Sequence, residues 1–110
     1  LMHMGAMATI GSVSPKNFVH ILFNNEAHET VGGQPTVSKT VHYRELAKAV
    51  GYRKVYLAKE KAALENALSE SGKETGPIFI EVACSVFSRA DLGRPKTTAI
   101  ENKEAFMEEL

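Results

Sequence analysis

The chain has 110 residues, of which 44% are hydrophobic and 24% charged, a composition typical of globular proteins. Lysine plus arginine and aspartate plus glutamate number 13 each, so the formal net charge is zero. This balance argues against a nucleic-acid surface, which normally shows a clustered excess of basic residues. No apolar stretch approaches the roughly 18 residues that span a membrane. The length predicts one domain or part of one.

The N-terminal part predicts a helix, a strand and a long loop. Residues 2–10 are small or apolar on most faces, which is typical of a buried helix, and Gly11 is expected to end it. The apolar segment 18–24 predicts a parallel strand that is covered on both faces, with His20 as a satisfied core or edge histidine. Residues 26–40 predict a long loop, and loops of this length are usually functional or mobile.

The remainder of the chain alternates helices and strands. The pattern predicts strands at 54–57 and 78–83 and helices at 41–50, 59–71 and 102–110. Thr40 and Asn102 are expected to cap the first and the last of these helices. Strands separated by helices indicate a parallel sheet. We therefore predict an α/β fold with a parallel sheet flanked by helices, a domain over 1–86, and an extended arm with a short helix over 87–110.

Cys84 is the single cysteine of the chain. It cannot form an intrachain disulfide, and no second cysteine or nearby histidine completes a zinc pattern. Because it follows a predicted apolar strand, it is expected to be a small buried hydrophobe rather than a nucleophile. A reducing cytoplasm is the simplest setting for such a protein.

Asn24 and Asn25 directly follow the first predicted strand. In α/β proteins, ligands bind just beyond the carboxyl ends of parallel strands. Two asparagines at that position offer neutral side-chain oxygens, which suit a hard cation such as Mg²⁺ that also carries phosphate groups. A plain turn is the alternative interpretation, because Asn tolerates left-handed backbone and caps helices.

An Asn-Asn pair after a buried strand resembles the second half of the thiamine diphosphate motif, which begins with Gly-Asp-Gly. The segments LMHMGAMATIG at 1–11, NNEAHETVGGQPT at 24–36 and SRADLGRPKTTAIENKEAFM at 88–107 are similar to the phosphonopyruvate decarboxylase family. The resemblance covers nearly the whole chain. Gly-Asp-Gly does not occur in this sequence, and in the family it lies just upstream of the segment that corresponds to Leu1. We therefore expect a piece of an enzyme, the C-terminal part of a thiamine diphosphate-binding domain.

The resemblance implies roles for the residues of the turn that begins with Asn24 and Asn25, here called the Asn turn. Asn25 would give its side-chain oxygen to Mg²⁺, and the backbone carbonyl of Ala27 would be a second ligand. Asn24 would orient the turn. His28 and Glu29 would face the diphosphate or the substrate, with a solvated loop pair as the alternative. The catalytic glutamate of the superfamily would lie in a pyrimidine-binding domain outside this chain, so no catalytic residue is assigned.

Further residues have a role only through the resemblance. Gly32 and Gly33 would let the backbone approach the cofactor closely or act as a hinge. Glu26 occupies a position where the family often has glycine, and its side chain is expected to face solvent because charged groups are rarely buried unpaired. A dianionic phosphonate calls for basic partners. The candidates for this role are Lys39, Arg89 and Arg94.

The implied reaction converts 3-phosphonopyruvate into phosphonoacetaldehyde and CO₂, in phosphonate biosynthesis. Sulfopyruvate decarboxylase is an alternative, because it shares the Asn turn and a Gly-Gln-Pro-Thr element. A non-catalytic fragment or structural subunit is another. Without the pyrimidine-binding domain we expect the 110-residue chain to be inactive. We expect it to associate with further copies, since an exposed strand edge pairs readily with another chain.

Overall fold

The structure is a computed structural model and describes residues 4–93 and 96–109. In chain order its elements are α1 (Gly5–Val13), β1 (Val19–Asn24), β2 (Ala27–His28), β3 (Gln34–Pro35), α2 (Tyr43–Ala49), β4 (Lys54–Ala58), α3 (Lys61–Ser71), β5 (Ile78–Ala83) and α4 (Ala99–Glu108). Strands β1, β5 and β4 form, in that order, one parallel sheet. The predicted α/β fold, with three parallel strands and two helices between them, is confirmed.

Helices α1 and α2 cover one face of the sheet. Phe79, the second residue of β5, is completely buried there and packs with Met7, Tyr43 and Tyr52. The His20 ring meets Phe79 edge-on at a centroid distance of 5.1 Å, and its Nδ1 lies 2.8 Å from the hydroxyl of Tyr52. The prediction of a satisfied histidine at the edge of the core is confirmed.

Helix α3 covers the opposite face. Successive residues of a strand point to opposite faces of the sheet, so Ile78 and Ile80 of β5 pack with Ala67 of α3 while Phe79 packs with the other layer. Because β5 lies between two neighbouring strands and two helical layers, its residues are the least exposed of the sheet. Coverage on both faces was predicted for β1 and is found at β5 instead, because β1 lies at the end of the three-stranded sheet and its Phe23 is largely exposed.

The first helix ends later than predicted, with Gly11 inside it, and the predicted start at residue 2 lies outside the described residues. A Cβ atom at Gly11 would lie 1.6 Å from the carbonyl oxygen of Val50. The glycine is therefore a point of close backbone approach between α1 and the end of α2, not a helix terminator. Helix α1 ends at Val13, and the next residue, Ser14, is its C-cap and has the left-handed conformation with φ of 48°.

The predicted loop over 26–40 contains more regular structure than expected. Strands β2 and β3 pair in antiparallel fashion within it. Two 3-10 helices, Glu29–Val31 and Val37–Lys39, complete the segment. The long loop was predicted without these short elements, because segments of two or three residues leave no helical or strand period in the sequence.

Both predicted helix caps were wrong. The Thr40 hydroxyl donates to a carbonyl three residues earlier, and His42 precedes α2 without a side-chain cap. Thr98 caps α4, with its hydroxyl accepting from the Glu101 N–H at 3.2 Å while the Glu101 carboxylate accepts from the Thr98 N–H at 2.6 Å. This reciprocal pair is a capping box, so α4 begins before Asn102. The division of the chain at residue 86 stays a prediction.

Across residues 4–93 and 96–109, no helix has both the length and the apolar composition that a membrane crossing requires.

Candidate functional site

The carboxyl ends of the three parallel strands meet at one edge of the sheet. Strand β1 ends at Asn24, and the parallel register places Asn24 beside Ala83, the last residue of β5. Two open cavities of about 590 and 370 Å³ lie at this edge. Both are lined by Asn24, Asn25 and Glu26. The Asn turn is therefore the wall between them, at the position where α/β folds bind ligands.

Two side-chain hydrogen bonds shape the Asn turn. The Asn24 Oδ1 accepts from the N–H of Glu26 at 3.2 Å, and the Asn25 Oδ1 accepts from the N–H of Ala27 at 3.2 Å. Each asparagine thus bonds the backbone two residues further on, which is an Asx turn. The carbonyl of Glu26 accepts from the N–H of Thr36 at 2.9 Å, which ties the turn to the end of β3.

Glu26 occupies the left-handed region with φ of 57°. For a residue with a Cβ atom this conformation costs roughly 1–2 kcal/mol, whereas glycine adopts it freely. The left-handed conformation is a physical reason for the glycine that is expected at this position in the family that the sequence resembles. The Glu26 side chain is exposed and also lines both cavities, so its orientation towards solvent stays a prediction.

Asn24 is held by an acidic residue of the central strand. Its Nδ2 donates to the Glu81 Oε1 at 2.9 Å, and the Arg44 Nε donates to the Glu81 Oε2 at 3.2 Å. The Glu81 side chain is only 14% exposed. Glu81 and Arg44 were not predicted from the sequence as site residues. A signal existed, because a glutamate within the apolar segment IFIEVA is costly to bury without partners.

Asn25 has a partner of its own. Its Nδ2 lies 3.4 Å from the Glu29 Oε2, and the Ser88 hydroxyl donates to the Glu29 Oε1 at 2.5 Å. Glu29 was predicted to face the diphosphate or the substrate, and the structure places its carboxylate between the Asn turn and the segment after β5. The assignment of Glu29 as a cofactor-binding residue stays a prediction.

The larger cavity extends from the Asn turn towards the start of α2. His28, predicted as a cofactor-binding residue, lines it together with Ala27. A chain of hydroxyls closes the far side, with Thr36 Oγ1 2.7 Å from Ser38 Oγ and Ser38 Oγ 3.1 Å from the hydroxyl of Tyr43. Since Tyr43 is buried in the core, this chain fixes the cavity wall to α2.

The structure does not bring all predicted site residues to the cavities. Gly32 and Gly33 have left-handed φ angles of 85° and 70° and lie at the exposed tip of the β2–β3 hairpin. Lys39 is exposed and lines neither cavity. The Arg89 Nε lies 3.2 Å from a carboxylate oxygen of Asp91, both on the surface. Arg94 lies outside the described residues.

Cys84 follows β5 and lines the smaller cavity. It is exposed, so the prediction of a small buried hydrophobe was wrong. The apolar segment ends at the sheet edge, and the chain beyond Val82 runs over the surface. Burial of the strand therefore does not extend to the residues that follow it.

The oxygen atoms of the Asn turn suit a hard cation only as part of a larger set of ligands. Among the hydrogen bonds of the described residues, the Asn25 Oδ1 accepts one, which leaves a lone pair of a neutral oxygen for a cation. The Asn24 amide is engaged at both ends, by Glu26 and Glu81. Within 4–93 and 96–109, no three His, Cys, Asp or Glu side chains are grouped as metal ligands. Mg²⁺ takes six oxygen ligands, so phosphate, water or another segment must supply the others.

The family described as thiamine pyrophosphate enzyme, C-terminal TPP binding domain, matches residues 1–82. The chain is 37% identical over 106 residues to the phosphonopyruvate decarboxylase of Streptomyces viridochromogenes, a match that covers 96% of this chain and 27% of that protein. The phosphonopyruvate decarboxylase of Streptomyces hygroscopicus is 36% identical over 108 residues, with 98% and 27% covered.

The sulfopyruvate decarboxylase subunit beta of Methanococcus maripaludis is 37% identical over 75 residues, which covers 66% of this chain and 40% of that subunit. Of the two phosphonopyruvate decarboxylases that it matches, the chain spans about a quarter of the length. The matched family region ends within β5 and includes the whole Asn turn.

Proposed function

The chain belongs to the thiamine pyrophosphate enzyme family, and from this premise we propose that it is the diphosphate-binding part of a thiamine diphosphate-dependent 2-oxo acid decarboxylase. The observation that carries the proposal is the Asn turn at the carboxyl ends of the sheet, inside the matched region. When bound, thiamine diphosphate supplies the electron sink for breaking the bond to the carboxylate. The residues of this chain bind and orient the cofactor.

In this proposal Asn25 gives its Oδ1 to the Mg²⁺ that holds the diphosphate, and the carbonyl of Ala27 is a second protein ligand. Asn24 shapes the turn, which its bonds to Glu26 and Glu81 support. His28 lies on the wall of the larger cavity, where it can face the diphosphate or the substrate. Since negative charge from the diphosphate collects at this edge, neutral asparagine oxygens add ligands without adding repulsion.

The proposed substrate is 3-phosphonopyruvate, which loses CO₂ to give phosphonoacetaldehyde for phosphonate biosynthesis. Support comes from the two phosphonopyruvate decarboxylases, whose similarity extends over 96% and 98% of this chain and so includes the segment after β5. The sulfopyruvate decarboxylase subunit matches only 66% of the chain. Sulfopyruvate is the second candidate substrate. Basic residues remain proposed for the phosphonate, namely Lys39, Arg89 and Arg94.

The whole enzyme would include a pyrimidine-binding domain outside this chain, which is consistent with the quarter of the relatives' length that the chain spans. We propose a homo-oligomer in the cytoplasm. The outer edges of β1 and β4 are unpaired among the described residues and are available to further strands. A reducing compartment suits Cys84, an exposed thiol.

The test uses the full-length protein and compares Asn25→Ala, Asn24→Ala and Asn66→Ala. Asn66 is an exposed residue of α3, so its replacement is a matched control for loss of an asparagine amide. We expect Asn25→Ala to weaken thiamine diphosphate binding by at least about tenfold, the scale of a lost metal-site contact. Asn24→Ala should weaken it less and Asn66→Ala not at all. Isothermal titration calorimetry at fixed Mg²⁺ measures each dissociation constant.

Two results would contradict the proposal. Unchanged cofactor affinity in Asn25→Ala removes Asn25 as a metal ligand, and absence of thiamine diphosphate binding by the unsubstituted protein removes the function itself. The substrate is decided separately by the rate of CO₂ release from 3-phosphonopyruvate and from 3-sulfopyruvate. A larger kcat/KM for 3-sulfopyruvate would favour the second candidate.

A further inference from the structure

Glu81 is a carboxylate inside the fold that the proposed chemistry does not use. It lies on β5 opposite Leu22 of β1, two positions before the pair formed by Asn24 and Ala83. Its side chain is 14% exposed, and its two oxygens accept from different donors, the Asn24 amide at 2.9 Å and the Arg44 guanidinium at 3.2 Å. These contacts join residues 57 and 37 positions apart in the sequence, so β1, β5 and α2 converge on one carboxylate.

This carboxylate decides which way the Asn24 amide points. A side-chain amide has a donor end and an acceptor end. With Nδ2 held by Glu81, Oδ1 faces the Glu26 N–H and closes the Asx turn. The opposite orientation would place the Asn24 oxygen against a carboxylate and leave the Glu26 N–H without its acceptor. Glu81 therefore favours the left-handed turn at Glu26, after which Ala27 forms the Asx turn with Asn25.

We propose that Glu81, supported by Arg44, is a positioning residue for cofactor binding: it fixes the amide of Asn24 and thereby holds the turn that presents Asn25 to the cation of the diphosphate. The inference rests on the proposed function. Arg44 neutralises the carboxylate beside a site that receives an anionic cofactor, which reduces the repulsion that Glu81 would otherwise cause. Glu81 itself touches neither the cation nor the reacting atoms in this proposal.

The experiment is a double-mutant cycle in the full-length protein with Glu81→Leu, Asn24→Ala and the pair combined. Glu74→Leu is the matched control, because Glu74 pairs with Lys54 at 3.2 Å at the opposite, amino end of the sheet. We expect Glu81→Leu to weaken binding of thiamine diphosphate with Mg²⁺ by roughly tenfold, the scale of a lost hydrogen bond to a charged group. In the Asn24→Ala background the same substitution should cost less than about twofold. Glu74→Leu should leave the affinity unchanged.

A second measurement does not need the cofactor. In the ligand-free protein, labelled with ¹⁵N at asparagine, the side-chain amide resonances of Asn24 should shift in Glu81→Leu and stay in place in Glu74→Leu. Glu81→Gln keeps an oxygen acceptor for Asn24 while it loses the charge, so it should restore part of the affinity. The same cycle is run with Glu81→Gln if Glu81→Leu does not fold.

The outcomes distinguish failure of the positioning role of Glu81 from failure of the proposed function. Equal cofactor affinity in the unsubstituted protein and in Glu81→Leu overturns the positioning role alone, and so does a loss of the same size with and without Asn24. Unmoved Asn24 resonances in the ligand-free variant overturn it as well. No cofactor binding by the unsubstituted protein overturns the proposed function and this inference with it.

Discussion

The central strand β5 and the segment over 24–40 show two different ways of holding a backbone in place. In β5, Ile78, Phe79 and Ile80 are at most 1% exposed and pack with helices on both faces of the sheet. None of the residues 24–40 is buried, and the segment is shaped by asparagine and hydroxyl side chains that bond nearby backbone. Apolar burial is large but non-directional, whereas hydrogen bonds are small and directional. The first stabilises the fold and the second sets the geometry of the site.

The largest expected effect is in the core, at Phe79. Phe79→Ala should lower the free energy of unfolding by about 3–5 kcal/mol, because it removes a fully buried ring and leaves a cavity between β5 and α2. Phe23 is the matched control, since it lies on the neighbouring strand with 67% of its surface exposed. Phe23→Ala should change the same quantity by less than about 1 kcal/mol. Denaturant unfolding measures both. Equal losses would show that β5 is not the distinctive core strand.

The contrast between apolar burial and local hydrogen bonding also explains which elements could be predicted from the sequence. Strands over 18–24, 54–57 and 78–83 were predicted within one residue of their observed bounds. Short apolar segments that alternate with segments of helical periodicity have few interpretations other than strands. The end of α1 was predicted at Gly11, which was wrong. Gly11 is a helix breaker by intrinsic propensity, but here it permits contact with Val50, which lies far along the chain. Only the tertiary structure contains that information.

The candidate site was predictable to the extent that it is local. Asn24 and Asn25 follow a strand directly, so their place at the carboxyl edge of the sheet comes from the sequence order alone. Glu81 was missed because its partner Asn24 is 57 positions away, and a single sequence gives no sign of which residues will meet. Local turns also left no period to detect, which hid β2 and β3.

Glu26 offers a smaller effect, within the segment that directional bonds shape. Glu26→Gly should raise the free energy of unfolding by about 1 kcal/mol, because it relieves the left-handed strain at φ of 57°. The matched control is Glu45→Gly, in the first turn of the right-handed helix α2. There the same substitution should lower stability by about 1 kcal/mol, because glycine is a poor helix former. Opposite signs in thermal or denaturant unfolding are the expected result.

A loss of stability in Glu26→Gly would contradict the strain at this turn. It would indicate that the flexibility which glycine adds to the unfolded chain outweighs the relief in the folded one. A gain in both variants would point instead to removal of negative charge, since both substitutions delete a carboxylate. The pair therefore separates backbone conformation from electrostatics in the site segment.

The smallest expected effect is a pH dependence that originates beside the core, at His20. Burial lowers the pKa of His20 below its ordinary value of 6.5 and raises the pKa of Tyr52, to which His20 is hydrogen-bonded. Well above pH 6.5 the histidine is neutral in both the folded and the unfolded chain, so it contributes no slope there. As the pH falls below 6.5, the unfolded chain binds a proton more readily than the folded chain does. The contribution of His20 to the free energy of unfolding must therefore decrease as the pH falls.

The decrease should begin near pH 6.5 and level off once the pH passes below the lowered pKa of the folded protein. The measurement is the free energy of unfolding between pH 5 and 8 for the unsubstituted chain and for His20→Gln, a variant with a side chain that does not titrate. His20→Gln should lose the part of the acid slope that starts near 6.5, while carboxylates at lower pH affect both proteins alike. An identical slope in the two proteins would show that the packing of His20 against Phe79 does not disfavour its charged form.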